Sequence, residues 1–154
     1  MKIIDGRSLS REIKAEIKQE VEDFIKSGGK TPHLAAVLVG DDAASQAYVR
    51  NKIRSCEEAG FESTLIRKNS NISEEELLEI VDHLNRNDDI DGFIVQLPLP
   101  THIDETKVTL AIDPRKDVDG FHPVNIGRMA IGLPSYIPAT PMGILTMFDR
   151  YKIS

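Results

Sequence analysis

Three side chains close together in the sequence could move protons. Ser45, Tyr48 and Lys52 are spaced i, i+3 and i+7, so a helix over 43–59 would carry a hydroxyl, a phenol and an ammonium on one face. A lysine partly withdrawn from water beside a tyrosine can have its pKa lowered enough to exchange protons near neutral pH. A solvated amphipathic face would show the same spacing. A second group is Gln96 in Gln96-Leu97-Pro98-Leu99-Pro100, where an amide offers both a donor and an acceptor directly after an apolar run. The prolines there also serve simply to end a strand. A third is Lys116-Asp117-Val118-Asp119-Gly120-Phe121-His122-Pro123. A carboxylate in this stretch could accept two hydrogen bonds from the donor edge of a heterocycle, or the stretch could be an acidic turn. It lacks the longer calcium-loop pattern. His33, His83, His102 and His122 are dispersed, none at metal-ligand spacing from another, so all four are expected to be structural or solvated and no metal site is expected. Cys56, one turn beyond Lys52, reads as a small buried hydrophobe.

The elements that must hold these groups follow from hydrophobic period. Leu9, Ile13, Ile17, Val21 and Phe24 mark a helix over 8–26, stopped by Gly28-Gly29. The apolar run 34–39 predicts a strand buried on both faces, and Asp41-Asp42 offers an N-cap for the helix over 43–59. Residues 61–67 predict a second strand. Ser73 with Glu76 is a capping-box pair opening a helix through Leu77, Leu78, Val81 and Leu84. Residues 92–97 predict a third strand and 104–112 a short helix. Strands alternating with helices indicate an α/β fold, a three-layer αβα arrangement around a mostly parallel sheet. Gln96 then lies at the carboxyl end of a strand, where open parallel sheets bind ligands. Seven of the eight prolines fall from Pro98 onward, so that stretch reads as loop-rich. Thr140-Pro141 resembles an N-cap and N1 pair before a last helix over 143–151, with Ile144, Leu145 and Phe148 on one side.

Composition narrows the function. The chain has 154 residues, about one domain, with 19 Lys plus Arg against 25 Asp plus Glu and a net charge of -6. That balance argues against non-specific nucleic-acid binding, and no apolar run approaches the roughly 20 residues of a membrane span. Met1-Lys2-Ile3-Ile4 begins no visible signal peptide. One cysteine allows no internal disulfide and fits a reducing cytoplasm. The ten glycines never form G-x-G, so neither the dinucleotide fingerprint nor a P-loop is present.

Four motifs, in order, carry a resemblance that covers essentially the whole chain. Val37-Leu38-Val39-Gly40 followed by Ala44 to Lys52, Asp91-Gly92-Phe93-Ile94-Val95-Gln96-Leu97-Pro98-Leu99-Pro100, the stretch from Asp113-Pro114 through Pro123, and Pro138-Ala139-Thr140-Pro141-Met142-Gly143 resemble the substrate-domain signatures of methylenetetrahydrofolate dehydrogenase/methenyltetrahydrofolate cyclohydrolase. Ala139 stands where many members have Cys. The resemblance implies an amino-acid-dehydrogenase-like N-terminal domain that binds tetrahydrofolate derivatives. It implies Lys52 as the catalytic lysine, Tyr48 packing on the aminobenzoyl ring, Gln96 hydrogen-bonding and tuning Lys52, and Asp119 pairing with the pterin-like ring. Val95 and Leu97 would meet the ligand through their backbone. Val49 and, more weakly, Ser45 join the substrate-binding set.

The implied reactions are oxidation of 5,10-methylenetetrahydrofolate with NADP or NAD and hydrolysis of the methenyl product to 10-formyltetrahydrofolate. In the hydrolysis, water adds to the one-carbon bridge and a ring nitrogen is protonated as the ring opens. The resemblance further implies residues 1–148 as the folate-binding catalytic domain, 149–154 as the start of a linker to a Rossmann-type NAD(P) domain outside this chain, a cytoplasmic enzyme and a homodimeric parent. The 154-residue chain would then transfer no hydride by itself. A folate-binding module without turnover, or a related substrate domain with another ligand, would share much of this sequence.

Overall fold

The computed structural model describes residues 3–153; Met1, Lys2 and Ser154, named above at the two chain ends, lie outside the described residues. Nine elements follow in order: α1 (Gly6–Lys26), β1 (His33–Val39), α2 (Ala43–Glu58), β2 (Glu62–Lys68), α3 (Glu74–Arg86), β3 (Gly92–Val95), α4 (Glu105–Ala111), α5 (Pro123–Ala130) and α6 (Ala139–Tyr151). The three strands form a parallel sheet in the order β2-β1-β3.

That order explains the layering. A strand-helix-strand crossover is right-handed. The chain moves from β1 to β2 through α2, then back past β1 to β3 through α3, so right-handed crossovers send the two helices to opposite faces. Side chains alternate accordingly. Ala35, Val37 and Val39 pack with Leu77, Val81 and Leu84 of α3 and with Val108 of α4. Ala36, Leu38 and Ile94 pack with Val49 and Ile53 of α2. The apolar run of β1 is therefore buried on both faces, as its lack of alternation predicts. Phe93 is the largest fully buried side chain, and a fully buried aromatic or aliphatic side chain contributes about 1.5–3 kcal/mol.

The predicted ends hold closely. Asp42 caps α2 through the Ser45 backbone N–H at 2.7 Å. Ser73 and Glu76 form both bonds of the capping box. The proline-rich stretch differs from expectation. It contains α5, which Pro123 opens at its first position, where the missing N–H leaves no bond unmade. Thr140 is not a cap: α6 begins at Ala139 after Pro138, with no side-chain cap, so Thr140 and Pro141 lie inside its first turn. Ile144, Leu145 and Phe148 are all exposed. The helix runs beside α1 rather than on the sheet, joined by Arg150 to Glu16 at 2.9 Å and by the Asp5 N–H to the Tyr151 hydroxyl at 2.9 Å. Residues 149–151, expected at the start of a linker, form its last turn.

Five residues of the Lys116–Pro123 motif have separate structural tasks. Lys116 Nζ donates to the Leu84 and Asn87 carbonyls at 2.9 and 2.7 Å, closing the carboxyl end of α3. The Phe93 N–H donates to the Lys116 carbonyl at 2.9 Å, which fastens the turn to the edge of the sheet. Asp117 is buried, with its carboxylate turned into the loop. Val118 packs on the α2 face of the sheet, against Gly92, where a Cβ would lie 2.3 Å from Val118 Cγ1. Gly120 has φ +71°, and a Cβ there would lie 2.9 Å from the Tyr136 carbonyl oxygen. His122 caps α5, its Nδ1 accepting from the Val124 N–H at 3.1 Å.

Two stability changes follow. Ser73→Ala should cost about 1 kcal/mol in urea unfolding, as for other lost N-caps; an unchanged midpoint would remove the capping box from the account. Gly120→Ala combines a positive φ with a backbone collision and should cost about 1–3 kcal/mol. A wild-type melting temperature in that variant would show that the loop relaxes freely.

Candidate active site

Strand order reverses between β1 and β3, the switch point at which open α/β sheets place ligands, beyond the carboxyl ends of the strands. A cleft of about 400 Å³ opens there. Four segments line it: Tyr48 and Lys52 from α2, Gln96 and Leu97 after β3, Asp119 and Phe121 from the turn, and Pro138 to Pro141 at the start of α6. Its volume lies in the usual range for small-molecule sites.

The central contact is an ion pair. Lys52 Nζ lies 3.1 Å from Asp119 Oδ1 and 3.3 Å from Oδ2, so one ammonium covers both oxygens. The side chains are 34% and 21% exposed, respectively. Partial burial makes such a pair stronger than a surface pair, which is worth about 0–1 kcal/mol. Tyr48 is 64% exposed and stands at the mouth of the cleft. The Gln96 backbone N–H continues the sheet by donating to the Val37 carbonyl at 2.9 Å. Its side-chain Nε2 donates to the Leu97 carbonyl at 2.6 Å, and its buried Oε1 has no partner among the described residues. The Leu97–Pro98 peptide bond is cis.

The structure therefore brings Tyr48, Lys52, Gln96, Leu97 and Asp119 to one place. Three other expected residues do not line it. Val49 is fully buried between α2 and the sheet, because it lies about 100° around the helix from Tyr48. Val95 is buried on the α3 face of the sheet, since adjacent strand residues alternate. Ser45 is buried and engaged with Asp42, whose carboxyl is held below its usual pKa first by the Ser45 backbone N–H and then by the Ser45 hydroxyl. The expected hydrogen bond from Gln96 to Lys52 is also not made, because Asp119 holds the ammonium and Leu97 takes the amide.

Phe121 and residues 138–141 join the cleft without having been singled out as ligand contacts. The signal for 138–141 was its motif, and only the fold shows that this motif faces Lys52. Phe121 carried no signal beyond being an aromatic after an acidic turn.

The histidines stay outside the cleft. His33 packs between Thr64 and Asp89, at 2.8 and 3.0 Å, at the opposite end of the strands. His33, Glu62 and Asp89 come close enough there to share a cation, and both carboxylates are exposed. His102 bonds the Ile72 carbonyl at 2.8 Å, and His83 is exposed on α3. Burial pushes the Cys56 thiol up, in keeping with a packed rather than reactive cysteine.

The turn from β1 into α2 is where a phosphate would meet free helix N–H groups. Here Asp42 bonds the Ser45 N–H and sets a carboxylate at that position.

Comparison with known proteins identifies the family. Residues 4–119 match the family model described as tetrahydrofolate dehydrogenase/cyclohydrolase, catalytic domain. The bifunctional protein FolD of Azobacteroides pseudotrichonymphae is 58% identical over 154 residues, which is 100% of this chain and 53% of that protein. The crystal structure of the bifunctional FolD methylenetetrahydrofolate dehydrogenase/cyclohydrolase from Campylobacter jejuni superposes with a TM-score of 0.95 at 44% identity, covering 99% of this chain and 54% of that one. The Trypanosoma brucei methylenetetrahydrofolate dehydrogenase-cyclohydrolase, complexed with NADP cofactor and an inhibitor, superposes with a TM-score of 0.92 at 30% identity, covering 99% and 52%. The chain spans about half the length of the curated relatives it matches. It belongs to the tetrahydrofolate dehydrogenase/cyclohydrolase family and carries that family's catalytic domain.

Proposed function

We propose that this chain is the folate-handling part of a bifunctional enzyme. The enzyme oxidises 5,10-methylenetetrahydrofolate to 5,10-methenyltetrahydrofolate and hydrolyses that product to 10-formyltetrahydrofolate. The observation that carries the reading is the Lys52–Asp119 pair, at 3.1 Å, in a cleft it shares with Gln96 and Tyr48. The bifunctional name of the relatives supports it.

The geometry suggests an order of events. A pterin presents adjacent N–H donors, which a carboxylate accepts as a pair. In the free chain both Asp119 oxygens are covered by Lys52, so a pterin that takes Asp119 releases the Lys52 amine into the cleft. Gln96 Oε1, without a partner among the described residues, is the neutral acceptor available to hold it. The exposed Tyr48 ring offers a face for the aminobenzoyl group. For hydrolysis, Lys52 as the neutral amine takes a proton from water while the water oxygen bonds to the methenyl carbon. The bond from that carbon to N5 then breaks, and Lys52 returns the proton to N5. The adduct hydroxyl loses its proton to solvent, leaving the formyl group on N10 and one proton released overall.

NADP or NAD is proposed as the hydride acceptor of the oxidation, in line with the NADP in the Trypanosoma brucei complex. The chain spans about half the length of its curated relatives, and the oxidation is assigned to a protein of that full length. Tetrahydrofolate derivatives as ligands, a homodimeric parent and a reducing, cytoplasmic setting complete the proposal. The last is suggested by the single cysteine.

Two substitutions test the site. Lys52→Met should lower methenyltetrahydrofolate hydrolysis, followed by absorbance, by about 10²-fold or more while folate still binds; near-normal turnover would take Lys52 out of the mechanism. Asp119→Ala should weaken tetrahydrofolate binding by about 2–5 kcal/mol in calorimetric titration. An unchanged affinity would sink the pterin role of Asp119.

A further inference from the structure

Asp117 lies two residues from Asp119 but does not line the cleft. It is 3% exposed. Its Oδ1 accepts from the backbone N–H groups of Gly120 and Phe121 at 3.1 and 3.4 Å. Its Oδ2 accepts from the His122 N–H and from Asn125 Nδ2, both at 2.9 Å. The three residues that follow Asp119 are thus all tied to one carboxylate. On the other side Val118 is packed on the sheet, and the Asp117 N–H donates to the Asp113 carbonyl at 3.1 Å. Asp119 sits between these fixed points with its own carboxylate turned toward Lys52.

A carboxylate suits this position, with N–H donors at both of its oxygens. It accepts at both oxygens, and hydrogen bonds to a charged acceptor are roughly twice as strong as neutral ones. An amide would set an NH₂ group against N–H donors. Asn125 cannot turn to meet it without cost, because its Nδ2 also donates to the Pro114 carbonyl at 2.9 Å.

We propose that Asp117 is the positioning residue of the folate site: it touches no ligand and holds the 119–122 backbone so that Asp119 meets the pterin edge. This rests on the folate reading above. It is tested by titrating tetrahydrofolate into four forms of the full chain: wild type, Asp117→Asn, Asp119→Ala and the double variant. Asp117→Asn should weaken binding about tenfold or more, and the added loss in the Asp119→Ala background should be less than about twofold, since coupled residues are not additive. Wild-type affinity in Asp117→Asn, or the same loss in both backgrounds, would overturn the positioning role. If Asp117→Asn does not fold, Asn125→Ala removes one of the four donors, and its smaller loss should likewise vanish without Asp119; an additive loss there overturns the role equally.

Lys116→Met separates positioning from stability. It should lower the melting temperature through the end of α3 yet leave folate affinity at the wild-type value. A folate loss equal to that of Asp117→Asn at the same drop in melting temperature would overturn the proposal. Failure of the wild-type chain to bind tetrahydrofolate would overturn the folate reading and this proposal together, whereas wild-type binding with an additive cycle overturns the positioning role alone.

Discussion

A buried carboxylate bound by four N–H groups organises the turn that lines one side of the cleft. Asp117 gathers the backbone of Gly120, Phe121 and His122 and the side chain of Asn125. A charge taken out of water must be compensated by hydrogen bonds of this kind, so the loop has little freedom to adopt another path. The consequences spread outward. Gly120 is pressed against the 136–138 backbone, which sets where α6 begins, and His122 starts α5. Asp119 is left facing Lys52 across the cleft.

The sheet supplies the opposite wall by a different physics. β1 is apolar on both sides and is sandwiched between α2 and the α3–α4 layer. This fixes the carboxyl ends of β1 and β3 and the face of α2 that carries Tyr48 and Lys52. The apolar core thus positions the cation and the amide, while the polar turn positions the anion. The Lys52–Asp119 pair is where the two systems meet. Its 3.1 Å separation is the sum of many interactions that are individually remote from it.

Much of the fold was legible from period and capping alone. The run 34–39 had no alternation and is buried on both faces; Ser73 and Glu76 read as a capping box and form one. The final third was harder. Prolines there suggested loops, yet Pro123 opens a helix, where a missing N–H is harmless, while Pro141, expected at the start of the last helix, lies in the first turn of α6. Ile144, Leu145 and Phe148 were expected on one side of the last helix, and they lie exposed along α6. A helical pattern states that a face is apolar and not what covers it.

The site divides in the same way. Residue types and spacing pointed to Tyr48, Lys52, Gln96 and an acidic turn, each with a plain structural alternative, and the family resemblance chose Asp119 within that turn and assigned the roles. Val49 and Val95 are one helical or strand step from Tyr48 and Gln96, and a single step turns a side chain from cleft to core, whereas Ser45 is held at the start of α2 by Asp42. Phe121 and residues 138–141 lie far from Lys52 in sequence and reach it only through chain reversal. What the sequence determined by itself is local: period, caps, turn chemistry and the identity of the reactive groups. What only the tertiary structure decided is why one carboxylate lies inward and the other faces the cleft. Asp117 and Asp119 are chemically the same, and their difference comes from the four donors around one and the lysine opposite the other.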